Sequence, residues 1–123
     1  MSGTDNKELV HRYFDERWNQ KNYAVIDELL DPSLGIEKSK AGAAAMHAAF
    51  GDITLTMNDL IAEDDQVVVP WELTGIHQGE YMDIAPSGKQ VTFRGLALVR
   101  IADGKIVADV AYGNDLEVLL DKA

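Results

Sequence analysis

Residues 64–109, DDQVVVPWELTGIHQGEYMDIAPSGKQVTFRGLALVRIADGKIVAD, decide how this chain folds. From residue 66 to residue 77 the side chains alternate, with Val67, Val69, Trp71 and Leu73 on one face, which is the period of a half-buried strand. A second strand is predicted over residues 91–101 and a third over 105–114. Asp103-Gly104 between them suits a tight hairpin turn. Residues 84–89, IAPSGK, are rich in turn formers but too short to separate two domains. Pro70 has no N–H to give to a ladder, so the strand that holds it is expected to be edge-like or bulged at that point.

The pattern upstream is helical. Leu9, Val10, Tyr13, Phe14 and Trp18 recur at three-to-four spacing over residues 5–19, and Lys7, Glu8, Arg12, Asp15 and Glu16 fill the other face. A short helix is predicted over residues 23–30, stopped by Pro32. A third is predicted over 40–50, rich in alanine and ended near Gly51. Residues 53–57 alternate again, and residues 115–121 close as a short helix or a strand end. Helices followed by antiparallel strands predict an α+β domain with the helices packed on one sheet face. At 123 residues the chain suits one domain, residues 1–123.

Composition removes several functions. The 21 acidic residues outnumber 11 basic ones, and the formal charge of −10 disfavours polyanionic partners such as nucleic acid. No apolar run approaches the roughly 18 residues of a membrane span. The first eight residues lack the apolar core of a secretory signal and there is no cysteine, so a cytoplasmic location is expected. His11, His47 and His77 are far apart, and Glu63-Asp64-Asp65 fits a solvated turn, so no metal site is expected. The sequence holds neither a phosphate-binding P-loop nor a Gly-x-Ser-x-Gly elbow.

Five ordered elements point to a family. They are Asp65; Val67 to Trp71; Thr74-Gly75-Ile76-His77-Gln78-Gly79-Glu80; Pro86-Ser87-Gly88-Lys89; and Asp103-Gly104-Lys105-Ile106. In that order and spacing the chain resembles the SnoaL-like polyketide cyclases of the NTF2-like superfamily, with the likeness extending over residues 7–120. The resemblance implies a cone, in which a curved, mostly antiparallel sheet wraps around a long helix and encloses an apolar cavity. It also implies homodimers formed through the outer sheet face. The superfamily includes isomerases, cyclases, hydrolases, dehydratases and pure binding modules, so the fold leaves the function open.

The resemblance implies an acid/base Asp on the last long strand, at the position of Ala111. Asp109 lies two residues away on the same strand face, about 6–7 Å along it. Two readings stay open: a pocket acid whose pKa is raised by desolvation, or a surface or interface carboxylate. The choice depends on which face lines the cavity, since Asp109, Ala111 and Gly113 share one face while Ala108, Val110, Tyr112 and Asn114 share the other, and the resemblance favours the side of Asp109 and Ala111. Gly95, Ala97 and Ala111 read as a pocket floor without polar groups, or as small residues that let a curved sheet pack closely. His77 continues the inward alternation and titrates near neutrality, which makes it the second catalytic candidate. Tyr13 is a candidate hydrogen-bond donor to a carbonyl or enolate oxygen. Trp18, Trp71, Tyr81 and Met82 are candidate apolar lining. The function expected is a small-molecule pocket protein, a cofactor-independent acid/base isomerase or cyclase on an apolar carbonyl compound. A non-catalytic ligand-binding or protein-interaction module is the alternative.

Overall fold

In the computed structural model, which describes residues 3–120, the strand read from Val67 onward pairs along both of its edges. The strands are β1 (Phe50–Met57), β2 (Ile61–Glu63), β3 (Gln66–His77), β4 (Gln90–Ala102) and β5 (Lys105–Gly113). They form one antiparallel sheet in the order β1-β3-β4-β5, with β2 also on β3. The helices α1 (Gly3–Phe14), α2 (Ala24–Leu29), α3 (Ile36–Ala49) and α4 (Asp115–Leu119) complete the α+β cone. No helix of the described residues is long and apolar enough to cross a membrane.

β1 and β2 lie end to end along the same edge of β3. β1 reaches Trp71 through Met57, and β2 resumes at Val68 through Ile61. Pro70 falls in the gap, where its carbonyl accepts from the Asn58 N–H at 3.2 Å and no N–H of its own is called on by that edge. The strand is thus edge-like at Pro70. Sequence reading passed over β2, because three residues carry no periodic signal.

Two irregularities set which side chains point inward. In β1 the register shifts between Gly51 and Thr54, with Asp52 at φ 53°, so that Phe50 and Ile53 are both buried although their spacing is odd. In β5 a second shift lies between Arg100 and Ile101 of its β4 partner. Ile106 is therefore buried on the core side, and Asp109 and Ala111 face that same side. Beyond the bulge Asp109 stands opposite Val99, and Ala111 opposite Ala97.

The helical layer covers this inner face with Val10, Tyr13 and Phe14 of α1 and Val25, Ile26 and Leu29 of α2. The first helix was expected to run unbroken to residue 19. Instead Asp15–Asn19 forms a π-helical turn, in which the Gln20 N–H reaches the Asp15 carbonyl at 3.2 Å. The turn is fastened to the sheet by Asn19, whose Oδ1 accepts from the Leu55 N–H at 2.6 Å and whose Nδ2 donates to the Leu55 carbonyl at 3.0 Å. α3 starts four residues earlier than expected, and Lys40 ties it to α2 through Asp27 at 2.5 Å.

Candidate functional site

Between the helical layer and the sheet lies a cavity of about 300 Å³, at the small end of ligand pockets. Its helical wall is Phe14 at the end of α1, Arg17 and Trp18 of the π turn, and Met46 of α3. The sheet supplies Leu55 of β1, then Val69, Trp71 and Leu73 of β3. Ala97 of β4 with Asp109 and Ala111 of β5 completes it. Two charged groups, Arg17 and Asp109, stand in an otherwise apolar lining.

Trp71 occupies its place because the sheet is hollowed beneath it. Trp71, Gly95 and Gly113 are paired neighbours across three strands. A Cβ on Gly95 would lie 2.5 Å from the Trp71 ring and 1.9 Å from the Tyr112 carbonyl oxygen, and one on Gly113 would lie 2.8 Å from the ring. The glycines thus serve close packing, while Ala97 and Ala111 form floor.

Asp109 is half-buried and makes no hydrogen bond or ion pair among the described residues. Desolvation holds its carboxyl above the ordinary aspartate value, and the positive charge of Arg17 pulls it partly back. Its side chain faces the cavity, whereas Val110 and Tyr112, the alternate set, are exposed.

Arg17 is fixed from behind. Its Nη1 donates to the Tyr13 hydroxyl at 2.7 Å and to the Ser39 hydroxyl at 3.0 Å, and its Nη2 donates to the Ser39 carbonyl at 3.4 Å. The guanidinium carbon stands 4.8 Å from the Trp18 ring centroid and 5.7 Å from that of Tyr13. The Nε is buried without a partner. His47 supports the same turn, its Nε2 lying 2.9 Å from the Trp18 carbonyl and its Nδ1 2.7 Å from the Tyr23 hydroxyl.

The structure therefore brings together Asp109, Trp18, Trp71, Ala97 and Ala111 of the residues singled out from sequence. The others lie elsewhere. Tyr13 is fully buried behind Arg17, accepting its hydrogen bond rather than lining the cavity. His77 is buried at the far end of β3, stacked on Phe50 at 5.2 Å, its Nε2 without a partner. It lies four positions beyond Leu73, about 13 Å along a strand. Tyr81 packs on Phe50 and donates to Asp115 of α4 at 2.7 Å, and burial together with that carboxylate pushes its phenol up to about 12. Met82 is exposed.

Arg17 and Met46 are lining residues that sequence reading missed. The signal for Arg17 was its position four residues after Tyr13 and three after Phe14, on the buried side of the helix. A wider hollow of about 580 Å³ lies around Asn6, Asp64, Asp65 and Asp103, but no group of three metal-ligating side chains occurs among the described residues.

Comparison with known proteins agrees with this architecture. The family model of the SnoaL-like polyketide cyclases matches residues 8–121. A candidate SnoaL-like polyketide cyclase from Jannaschia sp. CCS1 superposes with a TM-score of 0.87 at 28% identity, covering 95% of this chain and 90% of its own. AclR from Streptomyces galilaeus, described as a candidate hydroxylase, gives 0.85 at 26% identity over 99% and 84%. TsrD from Streptomyces laurentii shares the fold, with a TM-score of 0.89 at 21% identity over 100% and 99%. No match is found among curated proteins.

Proposed function

The chain belongs to the SnoaL-like polyketide cyclase family, and from that premise we propose that it is a cofactor-independent acid/base isomerase or cyclase acting on a small apolar carbonyl compound. The observation that carries this reading is a single desolvated carboxylate, Asp109, in a cavity whose remaining walls are apolar apart from Arg17. Ionised Asp109 removes a proton from the carbon next to the substrate carbonyl, and the electron pair of that C–H bond passes to the oxygen as an enolate. Return of the proton at another carbon completes an isomerisation. In a cyclisation, the enolate carbon attacks a second carbonyl and Asp109 gives its proton to the alkoxide formed. Desolvation makes the ionised carboxylate a stronger base than a solvated one, which suits it to a weakly acidic C–H.

A direct test uses 2-tetralone in deuterium oxide, with mass spectrometry following deuterium at the carbons flanking the carbonyl. The wild-type protein is expected to accelerate the exchange and Asp109→Asn to abolish that acceleration. The second reading is a non-catalytic ligand-binding module. It draws on Ala97 and Ala111, which offer a substrate no polar contact, and binding of the ketone without exchange would establish it.

In the same reading two copies pair through the outer faces of β4 and β5. Leu96, Leu98, Val110 and Tyr112 are exposed there and adjacent across the strands, Leu96 opposite Tyr112 and Leu98 opposite Val110. Arg94 with Glu72, and Arg100 with Asp65, flank them. An apolar centre with a charged rim is the anatomy of a protein interface.

A further inference from the structure

We propose that Arg17 is the oxyanion pole of the cavity: its guanidinium binds the anionic oxygen of an apolar ligand, and Asp109 takes up one proton as that anion binds. The inference rests on the reading that ligands enter this cavity beside Asp109. It extends that reading by naming a second residue in contact with the reacting oxygen.

A guanidinium has five N–H donors. In Arg17 both hydrogens of Nη1 are committed, to Tyr13 and to Ser39, and one of Nη2 goes to the Ser39 carbonyl. The Nε–H is sealed off without a partner, so the donor left over for a ligand is the second hydrogen of Nη2, backed by the full positive charge of the guanidinium that lines the cavity. The end of the group held by Tyr13 and Ser39, and its faces against Trp18 and Tyr13, fix the guanidinium before any ligand arrives.

Charge balance supplies the second half. With the cavity empty, the positive Arg17 faces the negative Asp109. An added anion leaves one uncompensated negative charge in a dry site unless a proton accompanies it. Asp109 is the group placed to receive that proton. Arg17 is the one charged residue facing it in the lining, since α1, α3, β1, β3 and β4 present Phe14, Met46, Leu55, Trp71 and Ala97. The titratable groups behind the wall, Tyr13 and His47, are engaged with Arg17 and with Tyr23, Ala43 and Trp18. A bound anion with a neutral Asp109 reproduces the charges of the enolate stage, so the same guanidinium serves both.

The experiment compares 2-naphthoate with its neutral analogue 2-acetonaphthone, by tryptophan fluorescence and by calorimetry in two buffers of different ionisation enthalpy. Wild-type protein is expected to take up about one proton with 2-naphthoate and to bind it up to about tenfold more weakly per pH unit as pH rises above the free carboxyl's pKa. The ketone should bind without either effect. Arg17→Met should lose about 10- to 100-fold in affinity for 2-naphthoate and clearly less for the neutral ketone, and a circular dichroism spectrum matching that of wild type shows that it folds. Arg17→Lys, the milder change, should fall between. Asp109→Asn should bind 2-naphthoate with no proton uptake and a flat pH profile. If the ketone binds but 2-naphthoate binds without proton uptake, or as tightly to Arg17→Met as to wild type, the inference is overturned while the cavity reading stands. If neither ligand binds, both fall.

Discussion

At the scale of the residue, ionising a carboxylate held beside Ala97 and Ala111 opposes folding, so stability reports on Asp109 before any substrate is known. Its folded pKa lies above the ordinary 3.8. Below that value the side chain is neutral in both folded and unfolded states and makes no difference. As pH rises through the folded pKa, the native state loses the stability that its proton had supplied. Asp109→Asn is therefore expected to melt higher than wild type at neutral pH, the gap closing as pH falls below 3.8. Thermal melts across that range check it, and a lower melting temperature at neutral pH would contradict it. Asp109 was legible in the sequence because one acid stands among small and apolar residues after a Gly-Lys-Ile turn. Arg17 was not, because periodicity assigns charged residues to the solvent side and says nothing of a guanidinium held by Tyr13 and Ser39.

The elements show why local pattern carried most of the fold and only part of the site. Alternation located β3, β4 and β5 because their inner and outer faces differ in chemistry. It did not locate the shifts in β1 and β5, where one extra residue reverses which side chains face inward. His77 does face inward, as alternation implied, but the cavity ends well before it and Phe50 fills the space. Gly95 was read either as floor or as a small residue for close packing; the second holds, and the ring it accommodates became visible only with three strands side by side. Gly95→Ala is expected to destabilise the protein by about 3 kcal/mol, since its Cβ meets the Tyr112 carbonyl as well as Trp71. Chemical denaturation measures that loss, and a neutral effect would mean that the strands separate easily. Gly113→Ala meets only the Trp71 ring that closely. It should cost less stability and shift the tryptophan emission instead.

Over the whole molecule, the inner surface of the sheet lines the cavity, and the outer one is the surface proposed above to receive a second copy. Tyr112→Asp places a charge in the centre of the outer patch and leaves the inner face of β5 untouched. Light scattering at micromolar concentration is expected to show a dimer for wild type and a monomer for the variant, and a wild-type monomer would remove the proposed pairing. The overall cone was readable because helices precede strands and five short motifs keep their order. The pairing of charges across the cavity was not, since Arg17 and Asp109 are 92 residues apart by their numbers and only the packing of helix on sheet makes them face one another. That pairing is the centre of the account, and an NMR titration of the Asp109 side-chain carboxyl tests it most directly. The account predicts a pKa above 3.8 in the wild-type protein and a higher one in Arg17→Met. A wild-type value at or below 3.8, or one that Arg17→Met leaves unmoved, would contradict it.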